Sequence, residues 1–304
     1  MISTMKDTSI LHLASTAGER KQDTGSRSMV LAGLLLGTLG IFVTEAHQPP
    51  LLTVLMRCLF GGIALLGWGA CSGKLGELRL RGRSLLAVLL ASLLMVSNWG
   101  LFFAAIPLTS IGLATVLFHL QPFWVMLYGS LLLGEKLSRQ HLLAALTALL
   151  GLGLACGLAG LRSEALPEGF LSGVLMCIGG SLAYAGLPII ARSQPGISSF
   201  ALAWWQCAVG VVLTAWWPLL NGWPTTAASW AWLAGLGSLH TGLAYALLYS
   251  GMSRVSTSRF AVLQFVYPVT AIVVDWLVYH HALDGWQLAG IGLMGLALWS
   301  LRRF

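Results

Sequence analysis

His119, Gln121 and Pro122 stand together in the middle of an otherwise apolar run that ends at Gly134–Glu135. A proline has no N–H to donate and leaves a carbonyl one turn earlier without its helical partner. Such a carbonyl, beside an imidazole that changes protonation near neutral pH, can hold a cation or a substrate amine. Thr115, His119, Pro122 and Met126 share a helical face by 4-3-4 spacing, and Gln121 lies on the neighbouring face. The pattern returns 146 positions later, where Pro268 matches Pro122 and is preceded by Gln264 and Tyr267.

Other polar residues could join them. Asn98 and Trp99 precede the first copy, and His240, Tyr245 and Tyr249 precede the second. Ionisable groups inside a membrane cost a few kcal/mol each and persist where they face a bundle interior or an aqueous cavity. Asp275 follows Tyr267 at helical spacing and is a candidate coupling carboxylate. Glu45 and Arg57 flank the turn at Pro49–Pro50; pairing between them is the favoured reading, and capture of a substrate carboxylate by Arg57 is the alternative. Glu135, followed by Lys136 and Arg139, is expected to fix a loop and to gate through an ion pair.

The elements that position these groups follow from composition. The chain is 57% apolar and only 9% charged, where a soluble domain has about 25% charged residues. Continuous apolar runs exclude a spanning β-barrel, whose strands alternate in short segments. One helical crossing uses about 20 apolar residues. The runs predict ten, over about 28–45, 51–72, 83–106, 110–133, 139–160, 169–190, 198–220, 230–251, 256–279 and 284–302. Residues 1–27 are polar and predict a disordered tail. The net charge of +7 reflects sidedness rather than a nucleic-acid partner. With the N-terminus cytoplasmic, 15 of the 17 basic residues fall in cytoplasmic segments, leaving Arg162 outside and Arg57 within a helix.

Five helices per copy is an odd number, so the two copies face opposite ways across the bilayer. Secondary transporters use that arrangement and bind substrate near the midplane between the repeats. A second match supports duplication, with Arg57, Cys58 and Gly61 standing against Gln206, Cys207 and Gly210. The expected fold is an all-α integral membrane protein of ten transmembrane helices in two inverted five-helix repeats, 28–162 and 168–304.

These residues resemble the drug/metabolite transporter superfamily, specifically its EamA-type members. The matching features are Arg57 on the second helix, the Ile111–Pro122 segment, Gly134–Glu135, the basic, polar start of the fifth helix, and Ser256–Pro268 on the ninth. His280–His281 stands where the second copy would repeat the Gly-Glu pair. The resemblance implies export of a small metabolite, such as an amino acid, a related compound or a drug, across the bacterial inner membrane. Both termini would be cytoplasmic and access would alternate between the two sides.

The expected partners are the cargo, the bilayer and, as a coupling ion, protons; nucleic acid is not expected. The chain is expected to act as a monomer or weak homodimer, with no cofactor. No Cys/His spacing resembles a zinc site. A channel or facilitative pore is the runner-up. An intramembrane enzyme ranks lower, since the chain has neither HExxH, nor Gly-x-Ser-x-Gly, nor carboxylates on adjacent turns.

Overall fold

The computed structural model describes residues 20, 22–109, 111–157, 168–280 and 283–300. Lys6, Lys21, Arg162, His281, Arg302 and Arg303, which entered the charge count or the repeat comparison, lie outside the described residues. In chain order the main helices are α1 (Gln22–Ala46), α2 (Pro50–Cys71), α3 (Gly82–Leu108), α4 (Leu113–Leu133), α5 (Arg139–Ala155), α6 (Phe170–Ser193), α7 (Ser199–Asn221), α8 (Ala227–Met252), α9 (Thr257–Tyr279) and α10 (Gly285–Ser300). All but α5 and α10 are long and apolar enough to cross a membrane. Among the described residues there is no strand. Leucines and valines such as Leu131, Leu150 and Val212 are exposed on the outer surface, a surface that suits hydrocarbon and not water. The protein is a multi-pass membrane protein.

Local chemistry sets the helix ends. Ser138, Ser198, Thr226 and Ser256 cap α5, α7, α8 and α9 by accepting from backbone N–H groups three residues on. Gly134 closes α4 in the left-handed region at φ 67°, where a side chain would be strained. The first helix starts ahead of the expected boundary at residue 28. Thr24, Ser26 and Ser28 donate their hydroxyls to carbonyls four residues back. Polar residues that satisfy themselves within the helix do not end it, so a polar sequence continues as helix where composition predicts a tail.

Several helices are broken internally. Turns interrupt α4 at His119–Leu120 and α9 at Gln264–Phe265. In α8 a π-helical segment spans Leu236–Leu243. Such wide turns are often found at functional sites.

The two halves exchange their first helices. On α8, a Cβ at Gly251 would lie 2.5 Å from Met29 of α1 and one at Gly235 would lie 2.6 Å from Phe42. Farther along α1, Gly33 and Gly37 touch Val266 and Thr270 of α9. Reciprocally, α6 packs on α3 and α4. A Cβ at Gly173 would lie 2.7 Å from Thr109, one at Gly186 would lie 2.8 Å from Leu94 of α3, and Trp124 of α4 donates its indole N–H to Ser181 at 3.0 Å. The mates α2 and α7 pack through Cys58 against Gly210. The mates α5 and α10 pack through Gly151 and Gly290, where a Cβ at 290 would lie 2.4 Å from the Gly151 carbonyl oxygen. Small residues let membrane helices approach closely enough to gain dispersion energy without a hydrophobic driving force.

Contacts between helix ends join two separate sets of segments. At one end Trp205 donates to Leu78 O, Glu135 meets Arg192 and Thr257, and Gly25 abuts Arg254. This end carries Lys74, Arg192 and Arg254 and is here called the basic end. At the opposite end Ser229 donates to Ala46 O, Tyr279 to Glu45, and Gln287 to Ala155 O.

Candidate functional site

The two helix breaks face each other. The ring of His119, in the α4 break, lies 5.9 Å from Phe265 in the α9 break and 6.2 Å from Tyr267, nearly parallel to the latter at 18°. Positions 119 and 265 are 146 apart, so residues equivalent in the two copies touch one another. Pro122 and Pro268 are both buried just beyond the breaks. Their rings withhold N–H donors from the carbonyls of Phe118 and Gln264.

His119 is buried, and its Nδ1 lies 2.7 Å from the carbonyl of Thr115. A ring nitrogen facing a carbonyl must carry hydrogen. The neutral ring therefore keeps Nε2 free of hydrogen, as an acceptor. Thr115 thus acts through its backbone, fixing the tautomer.

Beside this pair a second group gathers on α2, α3 and α8. Arg57 is buried and donates its Nε–H to Thr241 Oγ1 at 3.1 Å and an Nη2–H to the Tyr245 hydroxyl at 3.4 Å. Its guanidinium carbon lies 4.6 Å from the centre of the Trp99 ring, which stacks on Tyr245. Thr241 comes from the π-helical segment and Tyr245 from the turn after it. Trp99, Tyr245 and Phe265 belong to one buried cluster, which connects this group to the His119 pair. The expected Arg57–Glu45 pair does not form. Glu45 lies at the opposite end of the bundle, where it accepts from Tyr279 at 3.2 Å. No carboxylate among the described residues is within ion-pair distance of Arg57.

The remaining residues singled out from the sequence divide between binding surfaces and struts. Gln264 donates its amide to the Tyr184 hydroxyl at 2.7 Å, and the Tyr249 hydroxyl donates to Gln206. Gln121 is buried next to Pro122 with its Oε1 unpartnered. Asn98 donates to the Gly180 carbonyl at 2.9 Å and ties α3 to α6. His240 turns away from Arg57's hydrogen-bond partners to meet Thr38 of α1 at 2.8 Å, against the Phe42 ring. Asp275 lies one turn before Tyr279 and shares its electrostatic environment with Glu45, away from the central group.

Thr241, Tyr184 and Gln206 were not expected among the site residues. The i, i+4, i+8 spacing of Thr241, Tyr245 and Tyr249 was a readable signal for the first; no local pattern marks Tyr184. A cavity of about 980 Å³ opens at the basic end between α2, α7 and α8 and reaches Gly242 and Tyr249 at its inner end.

A carboxylate ties helix ends together at each end of the bundle. At the basic end, Glu135 and Arg192 approach to 2.5 Å, off the hydrogen-bonding axis. The second oxygen of Glu135 accepts from the N–H of Thr257 at 3.1 Å and from its hydroxyl. That N–H belongs to the first turn of α9, where the unpaired amides favour an anion. Glu135 thus joins the end of α4, the end of α6 and the start of α9. At the opposite end, Tyr279 and Glu45 join the ends of α9 and α1, the repeat mates of α4 and α6.

The model of the EamA-like transporter family matches this chain twice, over residues 24–156 and 171–303. The chain belongs to the EamA-like transporter family. The double match covers both copies, and it makes the chain a membrane transporter rather than an enzyme. Among curated proteins, this EamA-like transporter is 26% identical to the uncharacterized transporter YxxF of Bacillus subtilis, over 93% of this chain and 92% of that one. An uncharacterized transporter of Archaeoglobus fulgidus is 28% identical, over 90% of this chain and 94% of its own. Protein PecM of Dickeya dadantii is 29% identical, over 84% and 85%. A crystal structure covering 92% of this chain superposes with a TM-score of 0.82 at 22% identity, a likeness of fold.

Proposed function

We propose that this transporter is a secondary carrier that exports a small metabolite, an amino acid or related compound, across the bacterial inner membrane by alternating access. Ten spans in two inverted five-helix repeats, with the basic end cytoplasmic, form the machine. The reciprocal exchange of α1 and α6 supports two copies related by a pseudo-two-fold axis, and the two sets of end contacts support spans that alternate in direction. The N-terminus would be cytoplasmic, and the chain would work as a monomer or weak homodimer.

One observation carries the reading: the two helix breaks meet at the centre, between a tie at each end of the bundle. Substrate would enter the central group from the cavity at the basic end. It would meet Trp99, His119, Gln121, Tyr245, Gln264 and Tyr267 there, with Pro122 and Pro268 keeping carbonyls available. Asn98, Thr115 and His240 would hold this lining in place. Parting of Glu135 from Arg192 and Thr257 opens one side, and parting of Tyr279 from Glu45 opens the other. His119 Nε2 and the Asp275 carboxylate are the groups that could exchange a proton.

Proteoliposome counterflow with labelled neutral amino acids, with and without a pH gradient, tests the reading. A carrier gives saturable uptake stimulated by unlabelled substrate on the far side. Linear, unstimulated flux would point to a channel and overturn it. His119→Ala is expected to raise KM about tenfold, the worth of about 1.4 kcal/mol for one substrate hydrogen bond, at unchanged expression. Unaltered transport kinetics would remove His119 from the lining.

A further inference from the structure

We propose that Arg57, held by Thr241 and Tyr245 against the Trp99 ring, is an anion subsite of the central group, so that the cargo carries a carboxylate on an apolar or aromatic body. The inference rests on the central group being the substrate site, as proposed above, and it names the chemical class of the ligand.

Charge balance comes first. A guanidinium inside a membrane protein is kept where something compensates it, because desolvating a lone charge costs several kcal/mol. Arg57 is buried, and no described carboxylate is in ion-pair range. Thr241 and Tyr245 accept one N–H each. Of five N–H donors in a fixed fork, three are left over. Two parallel donors match a carboxylate in the bidentate geometry that gives arginine its preference for such groups.

The walls restrict the class further. Trp99 and Tyr245 stack beside the guanidinium. Ring faces hold the cation in place without neutralising it, and they offer an apolar surface to the body of the ligand. Arg57 brings a single positive charge. A carboxylate monoanion balances it; a phosphate dianion would remain half uncompensated in a low-dielectric site.

The geometry also explains the asymmetry between the copies. Gln206 occupies the position equivalent to Arg57 and takes the Tyr249 hydroxyl, one turn along α8 from Tyr245. Both α2 and α7 therefore direct their polar residue at α8, but only one copy supplies a charge. Of these two equivalent positions, only 57 offers a charge to an anion.

Isothermal titration of the purified full chain with phenylacetate and with phenylacetamide tests the subsite. These probes share the ring and differ in the charge. Wild type is expected to bind the acid about tenfold or more tightly than the amide. Arg57→Gln should abolish that preference, with the acid and the amide then binding equally. Arg57→Lys should retain part of it, keeping the charge and losing the fork. The wild-type comparison and the lysine variant carry the test if the glutamine variant fails to fold.

Equal binding of acid and amide by wild type, absence of acid binding, or an undiminished preference in a folded Arg57→Gln protein would each overturn the subsite. Binding needs no transport, so the two readings fail separately. An acid preference that tracks Arg57 without counterflow removes the carrier and leaves the subsite. Counterflow with no acid preference does the reverse.

Discussion

Gly290→Leu is expected to remove most of the folded transporter. A Cβ at 290 would lie 2.4 Å from the carbonyl oxygen of Gly151 and 2.6 Å from the amide nitrogen of Ala155. Both are backbone atoms that no rotamer change can move, so α5 and α10 must separate along their contact. Overpacking a tight interface costs typically about 1–3 kcal/mol, and a rigid backbone contact puts leucine at or above the upper figure. About 3 kcal/mol changes the folded-to-unfolded ratio by roughly two orders of magnitude. Gly292→Leu on the same helix supplies the control, since nothing lies within 4 Å of a Cβ there. Fluorescence-detected size exclusion reads both. The 290 variant should lose its monodisperse peak and the 292 variant should keep it; equal peaks would contradict the packing account.

Glu135→Gln should shift the conformational equilibrium toward opening at the basic end. Glutamine can still accept from Thr257, but it loses the charge contact with Arg192 and the anion's attraction to the first turn of α9. Charge-assisted contacts of this kind contribute about 1.5–3 kcal/mol, so the ratio of open to closed should rise by roughly tenfold or more. Accessibility of a cysteine at Val255, buried at the basic end next to the start of α9, to a membrane-impermeant maleimide should rise by the same order. The fold should survive, because α4 and α9 remain packed through Gly129 against Thr257. No change in labelling would show that the tie holds a loop and not a gate.

Much of this was legible from local pattern. Proline, glycine and capping residues mark helix ends in the chain itself, and most observed ends fall within a few residues of the expected ones. Pro122 and Pro268 also forecast the breaks. Partnership was not legible, because it depends on contacts between distant segments. Arg57 passes over Glu45, twelve positions away, for Thr241, 184 positions away, because the π-helical turn of α8 presents that face. Asn98, polar inside an apolar run, reads as a binding group, yet its amide is used on Gly180 O. Glu135 was expected to gate through an ion pair; its partners Arg192 and Thr257 come from the other copy and could not be named from spacing. The start of α1 was hidden by hydroxyls that bond inside their own helix.

The central claim is that the two ends never open together. Spin labels at Leu137 and Ser193 report the basic end, and labels at Pro49 and Val278 report the opposite end; all four sites are exposed. Double electron–electron resonance distances for each pair can be recorded in Glu135→Gln, in Glu45→Gln and in the variant carrying both. Each single variant should lengthen only the distance at its own end. In the double variant, the fraction of long distances at the basic end and the fraction at the opposite end should sum to no more than one. A sum clearly above one means molecules open at both ends at once, which is a channel and contradicts alternating access.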